Sequence, residues 1–388
     1  MQPTLLKNCL ISNPQNGFVN KQDIFIRNGK IEQIADKLTP ETKNTTILDL
    51  QENYLLPGLI DAHTHLGIIE EATGKIGIDN NETSDPVTPH LRGIDAINPL
   101  DIAFEDAIKS GVTTVMSGPG SNNAVGGLSA ALKTHGKIID KMILRNPVGL
   151  KLALGENPLS TYGIDNGCPV TRMGTASLIR ELLMRAQDYS ERKNAGKIEE
   201  RDIRLEAVVP VLEGKISLRV HAHRADDIVT AVRLAEEFNI HKLVIEHGTE
   251  AHLVKDYLKE KDIAVAFGPM LTPRIKMELK SRNYGSVVVL TEAGIKTALI
   301  TDHPYNSIDQ LRTVAALAVA EGLDPVEAIN CITVHPAEIL ECDQVIGKIA
   351  IGYDADLVVF DGQPLDLNTK VMLTMIDGQI VYNRSASQ

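Results

Sequence analysis

His63 and His65 stand two residues apart at the end of an apolar run, Leu55-Leu56-Pro57-Gly58-Leu59-Ile60-Asp61-Ala62. Side chains two apart on a strand share a face, so both imidazoles can converge on one ion. Three further runs end in the same way. His221-Ala222-His223 follows Leu218-Arg219-Val220, His247 follows Leu243-Val244-Ile245-Glu246, and Asp302 follows Ala298-Leu299-Ile300-Thr301. Neutral imidazole and carboxylate are ligands for zinc and similar divalent ions, which turn water into a nucleophile near neutral pH. A histidine taken singly is more often a hydrogen-bonded or surface residue. Four separate strand ends carrying His or Asp are different, because a barrel gathers strand C-termini into one cleft. The chemistry to expect is metal-assisted hydrolysis.

The elements that must position these residues fall into two kinds. Thr4 to Ile11, Asp23 to Arg27, Lys30 to Ile34 and Thr46 to Leu50 are β-prone runs, with Asn28-Gly29 as a tight hairpin. The end of the chain matches them: Ala355 to Phe360, Val371 to Ile376 and Gln379 to Tyr382, the last two flanking Asp377-Gly378. Between the ends, short apolar runs alternate with helical stretches: Leu55 to Ile60, Val112 to Met116, Val148 to Leu154, Leu218 to Val220, Leu243 to Ile245, Ile263 to Ala266 and Thr297 to Ile300. Runs of this kind suit strands buried on both faces of a parallel sheet. The expected architecture is α/β: a (β/α)8 TIM barrel over residues 56–344, and a small composite β-sandwich domain from 1–55 plus 345–388.

Helices are expected over Ala225 to Phe238, Thr175 to Asn194 and Ser307 to Glu321, the last with Ser307 as N-cap and Gly322 as terminator. Pro210 inside Ile203 to Leu212 implies a kink or two short pieces. The third barrel strand belongs somewhere within Gly127 to Leu144 and is not placed by the pattern. From Lys151 to His221 is 70 residues, against 26 from His221 to His247, so an insertion lies there, including a loop at Gly155 to Gly174. A second long loop, Asp79 to Asn98, follows the first strand and is either a cover for the site or irregular surface.

The 388 residues carry a net charge of −12 without long like-charge runs, which argues against nucleic acid and acidic membranes as partners. Four scattered cysteines form no CxxC pair, so neither a zinc ribbon nor disulfides are required. No leader-like segment or run of 18 apolar residues is apparent, and the cytoplasm is the default location. A small-molecule substrate is the expected partner; a homo-oligomer is compatible with the sequence, which does not set the subunit number.

The motifs together resemble the amidohydrolase superfamily over nearly the whole chain. The resemblance rests on Pro57-Gly58-Leu59-Ile60-Asp61-Ala62-His63-Thr64-His65, Gly111-Val112-Thr113-Thr114, Ile245-Glu246-His247-Gly248-Thr249 and Thr301-Asp302. Thr333-Val334-His335-Pro336-Ala337 is similar to a family motif with His335 where Asn is usual, and Gly347 to Val358 is similar to the family's C-terminal sheet. Imidazolonepropionase-related members and barrel-type Xaa-Pro dipeptidases look nearest.

The resemblance implies a first metal on His63, His65 and Asp302 and a second on His221 and His247, zinc being the expected ion. Lys151, carboxylated, would bridge them; Glu156 is the rival carboxylate. Of His221 and His223, the first is favoured as ligand and the second left to line the pocket. A one-metal site, as in imidazolonepropionases, would free His247 for the substrate. Asp302 would act as general base and then acid. His223, Glu156, Arg172, Arg224 and His303 are the expected substrate contacts, and the two arginines hint at a carboxylate-bearing substrate. The implied reaction is cleavage of an amide, cyclic amide or peptide-like C–N bond, with deamination as an alternative. A metal-free scaffold relative would require lost ligands, and none of these positions is lost.

Overall fold

The computed structural model describes residues 2–13, 17–40, 44–164, 167–198 and 200–386. The chain opens with β1 (Thr4–Asn13), β2 (Gly17–Arg27), β3 (Lys30–Ala35), β4 (Thr46–Asp49) and β5 (Tyr54–Pro57). The barrel strands follow: β6 (Leu59–Thr64), β7 (Val112–Ser117), β8 (Val125–Lys133), β9 (Ile143–Ala153), β10 (Ser217–Ala222), β11 (Leu243–His247), β12 (Ala264–Phe267) and β13 (Thr297–Leu299). The chain closes with β14 (Leu357–Phe360), β15 (Val371–Ile376) and β16 (Gln379–Asn383). Two sheets result, a nearly closed eight-stranded barrel of mostly parallel strands and a second sheet fed by both ends of the chain.

Seven barrel strands run parallel, but β8 is antiparallel to both β7 and β9. This corrects the all-parallel (β/α)8 expectation and locates the missing third strand. A parallel crossover needs a dozen or more residues, whereas only 118–124 precede β8 and 134–142 follow it, enough for hairpins alone. Glycines at Gly126 and Gly127 also interrupt the apolar run that would have marked it.

The run Leu55 to Ile60, expected as one strand, is two. Gly58 donates its N–H to Asp356 O at 2.8 Å, and the chain leaves the second sheet there for the barrel. A Cβ at Gly58 would sit 2.0 Å from Thr113 Oγ1, so no larger residue fits the crossing. In the second sheet, β1 is long enough to pair with β2 on one side and with β4 then β5 on the other. Hydrogen bonding therefore runs through all eight strands as one sheet, where a sandwich would have two. Both predicted hairpin pairs have left-handed backbone, Asn28 (φ 54°) with Gly29 (φ 80°) and Asp377 (φ 49°) with Gly378 (φ 72°), as the type I′ turn requires.

The principal helices are α1 (Ala103–Ser110), α2 (Glu156–Tyr162), α3 (Arg172–Asn194), α4 (Ile203–Leu212), α5 (Ala225–Glu237) and, later, Leu311–Ala320. α5 buries Ile228, Ala231, Val232, Leu234 and Ala235 against the barrel, the face its periodicity predicts. α2 lies inside the expected Gly155–Gly174 loop, and Pro210 sits near the end of an unbroken α4 rather than splitting it. Ser307 makes no side-chain cap; a 3-10 turn, Ile308–Gln310, starts that helix instead. Among the described residues no helix is long and apolar enough to cross a membrane.

Loop 79–98 is stitched to β8: Thr88 N donates to Val125 O, Val125 N to Pro86 O and Leu128 N to Leu91 O, at 2.8–3.1 Å. It is a wall of the barrel mouth. At the other end of β8, Lys133 Nζ meets Asp354, Asp356 and Asp377 of the second sheet at 2.7, 3.1 and 2.5 Å. The ammonium and Asp356 are both buried. Lys133→Ala strands the buried Asp356, while Asp354 keeps Lys30 at 2.7 Å and Asp377 is half exposed, and a loss of about 3 kcal/mol is expected in urea unfolding; a midpoint within error of the parent would show that the cluster does not hold the sheets together.

Candidate active site

The four predicted strand ends meet at one mouth. β6 delivers His63 and, just beyond it, His65; β10 delivers His221 with His223 following; β11 ends on His247; Asp302 lies three residues past β13. Lys151 reaches the same place from β9. All seven side chains are buried. Two groups of potential ligand atoms form here, His63, His65 and Asp302, and His221, His223 and His247, each within 4.8 Å. Nε2 of His63 and of His65 lie 3.1 and 3.5 Å from Asp302 Oδ1, and Lys151 Nζ is 3.5 Å from His63 Nε2. The rings of His221 and His247 are 4.4 Å apart, those of His63 and His247 5.0 Å.

Backbone geometry assists the convergence. His247 (φ 73°) and Asp302 (φ 56°) occupy the left-handed region, which turns each side chain sharply off its strand. Asp61 fixes the relation between the first and last strands. Its Oδ2 accepts from Thr301 N and Oγ1 at 3.0 and 2.6 Å, and its Oδ1 from His63 N at 3.2 Å. Burial pushes the Asp61 carboxyl up to about 7.

The imidazoles are poised as neutral ligands. Burial pushes His65 and His221 down to about 4, and His223 and His247 well below the usual range. His63 is the exception. Burial opposes its charge, but Glu246 and Asp302 hold its pKa above the ordinary value. Glu246 Oε2 lies 2.5 Å from His63 Nδ1, and its Oε1 2.5 Å from Arg219 Nε. Arg219 crosses the barrel from β10 and donates to Ala62 O at 2.8 Å. A Cβ at Gly149 would lie 2.7 Å from Arg219 Cδ and 2.8 Å from Ser217 O, so glycine makes the room. Carboxylate–histidine pairs of this type fix which ring nitrogen faces an ion. Lys151 is pushed down to about 8, chiefly by burial.

The remaining predicted contacts separate. His223 lines the cavity and its Nδ1 is 2.7 Å from Thr249 Oγ1. His303 is buried beneath the mouth, its Nδ1 accepting from Ile308 N, and does not line the cavity. The structure does not bring Arg172, Arg224 or Glu156 into it either. Arg172 pairs with Asp227 at 3.1 Å, and Arg224 with its neighbour Asp226 at 2.8 Å. Glu156 Oε2 accepts from Glu278 N at 3.0 Å, while Glu278 Oε2 accepts from Glu156 N at 3.1 Å.

Sequence reasoning missed Glu278 and Lys276, on the segment after β12. Glu278 Oε1 sits 3.7 Å from Nε2 of both His221 and His223 and 2.6 Å from Lys276 Nζ. Lys276 also donates to Asn157 Oδ1 at 3.1 Å. The cavity above the ligand groups measures about 210 Å3, and Asn80, Asn81, Asn122, Asn157, Lys276 and Tyr305 supply its polar wall. No motif marks them. Arg219 and Glu246 did carry a signal, each being a charge within an otherwise apolar strand.

A third group, Glu327, Cys331 and His335, stands at the opposite end of β13. There His335 Nδ1 lies 3.0 Å from Thr297 O, which ties the following helical segment to that strand.

An α/β barrel with imidazoles, a lysine and an aspartate at its mouth is the class that fold and site define. The model of the amidohydrolase family matches residues 54–381. The chain is 42% identical to the crystal structure of an amidohydrolase from Thermotoga maritima MSB8, with a TM-score of 0.94 over 98% of this chain and 100% of that one. It is 27% identical to the amidohydrolase tasK of Hapsidospora irregularis over 98% of its own length, but spans only 43% of that protein. Similarity to a dihydroorotase of Syntrophus aciditrophicus (strain SB) is 25% over 97% of this chain and 99% of the relative. The chain belongs to the amidohydrolase family, hydrolases of carbon–nitrogen bonds.

Proposed function

We propose that the chain hydrolyses the C–N bond of a small amide, cyclic amide or peptide-like substrate with metal-activated water. One observation carries this: His63 Nε2 and His65 Nε2 converge on Asp302 Oδ1 in a buried cluster beside a second group of imidazoles. The donor set fits divalent ions, zinc first, since neutral imidazole and carboxylate are its ligands. His63, His65 and Asp302 would hold one ion, and His221 and His247 a second. Buried His221 Nδ1 has no hydrogen-bond partner among the described residues, as an ion-facing nitrogen would.

Bound there, such an ion supplies Lewis acidity, making water a nucleophile near neutral pH and polarising a carbonyl. Lys151 as an ammonium would repel cations beside His63. Attack of its neutral Nζ on carbon dioxide, with loss of one proton, would give a carbamate, an anionic ligand in place of the ammonium. Asp302 takes the proton from the attacking water and returns it to the leaving nitrogen. The cavity wall of side-chain amides and Lys276 offers donors and acceptors to a polar substrate, and the dihydroorotase similarity favours a cyclic amide. The second sheet, with its own apolar core of Leu6, Ile24, Ile26, Leu55, Leu357 and Met375, is read as a small domain appended to the barrel.

Zinc-loaded protein should hold one or two ions per chain by mass spectrometry. It should also cleave a member of a panel of N-acyl amino acids, dipeptides, lactams and hydantoins. A chain that takes up no divalent ion would end this reading.

A further inference from the structure

Which nitrogen of an imidazole meets an ion depends on what the other nitrogen holds. In four of the five site histidines Nδ1 has a partner, that of His223 being Thr249 Oγ1 at 2.7 Å, and Nε2 of His63 and His65 faces Asp302. His65 Nδ1 lies 2.8 Å from Gly118 O, His247 Nδ1 2.9 Å from Gly268 O, and His63 Nδ1 2.5 Å from Glu246. His221 is the reverse. Its Nδ1 is buried with neither a hydrogen bond nor an ion pair among the described residues, where His63 Nδ1 has the ion pair with Glu246, and its Nε2 faces Glu278, with Asn157 Nδ2 alongside at 3.5 Å.

We infer that Glu278 is a positioning residue: by accepting a hydrogen bond from the Nε2–H of His221, it turns Nδ1 of that ring toward the second ion. At 3.7 Å the contact is not yet a hydrogen bond, and a shift of roughly 0.5–1 Å closes it. Several features equip Glu278 for this role. It is almost fully buried, so water cannot substitute for it. Lys276 balances its charge at 2.6 Å. The paired backbone bonds with Glu156 hold it in place from the far side, which gives Glu156 a supporting task instead of a bridging one. Glu278 Oε1 lies 3.7 Å from Nε2 of His223 as well, so the two rings differ only at Nδ1: that of His223 is on Thr249 at 2.7 Å, whereas that of His221 has no hydrogen-bond partner among the described residues. Glu278 thus does for the second group what Glu246 does for the first.

The inference rests on the metal-hydrolase reading, and the experiment separates the two. Full-length protein labelled with 15N-histidine is loaded with zinc, and zinc content and histidine tautomers are read in the parent, Glu278→Ala and Glu278→Gln. In the parent, one histidine is expected to be protonated at Nε2 with Nδ1 on zinc, and His221→Gln should remove that signal. Glu278→Ala should weaken zinc at that position about 10–100-fold in competition with a chelator, and shift the same signal. Glu278→Gln keeps the shape and an acceptor oxygen but loses the charge, so its zinc affinity should fall between them. Parent-like zinc affinity and an unshifted signal in both variants would overturn the inference alone. So would a zinc-loaded structure with a Glu278 oxygen on the ion. A parent that binds no zinc would defeat the hydrolase reading itself.

Discussion

Replacing Asp302 by Asn is expected to lower turnover about 10²–10⁴-fold while zinc, at saturation, remains bound. The amide keeps the shape and an oxygen near His63 and His65, but it cannot take a proton from water and hand it on. The carboxylate is suited to both steps. Burial pushes its pKa up, while the hydrogen bond and charge of His63, with His65 and Lys151, hold it below the ordinary range. The check is kcat on whichever amide of the panel is cleaved, read beside zinc content by mass spectrometry. Normal turnover at full zinc occupancy would remove Asp302 from the chemistry.

The second large effect falls on stability. Arg219 and Glu246 are both fully buried, and the guanidinium spans the barrel interior. Arg219→Met leaves Glu246 as a buried anion with His63 as its remaining close partner, at a cost of about 3–5 kcal/mol in urea unfolding. Adding Glu246→Gln removes the stranded charge and should restore much of that loss. The double variant should nonetheless bind zinc about 10–100-fold more weakly, because nothing charged then fixes the orientation of His63. A single variant within 1 kcal/mol of the parent would show that the pair is not needed for folding. Parent-like zinc affinity in the double variant would show that Glu246 does not orient His63.

Histidines and an aspartate at the ends of apolar runs were legible because strand periodicity and barrel geometry act together on them. Lys151 was readable for the same reason, since Val148 to Leu154 is a continuous apolar strand around it. β8 was not, because a reversed strand needs no helix and so leaves no alternation to detect. Arg172 and Arg224, read as substrate contacts, do not line the cavity. Their charges are absorbed by Asp227 and Asp226, a local pairing that spacing alone does not distinguish from a free cation. Glu278 and Lys276 arrive from an irregular segment between β12 and β13, whose path is set by packing. The division at Gly58 was visible only once Thr113 and Asp356 were placed in space.

His247 and Asp302 stand on backbone where glycine rests most comfortably, and a side chain there costs roughly 1–2 kcal/mol. Function and heat resistance therefore pull against each other at two corners of the barrel. If His247 and Asp302 act as proposed, variants chosen solely for surviving high temperature would be rewarded for placing glycine at those positions at the expense of activity. Efforts to harden this enzyme are best directed at the second sheet and the outer helices, leaving the strained corners as they are.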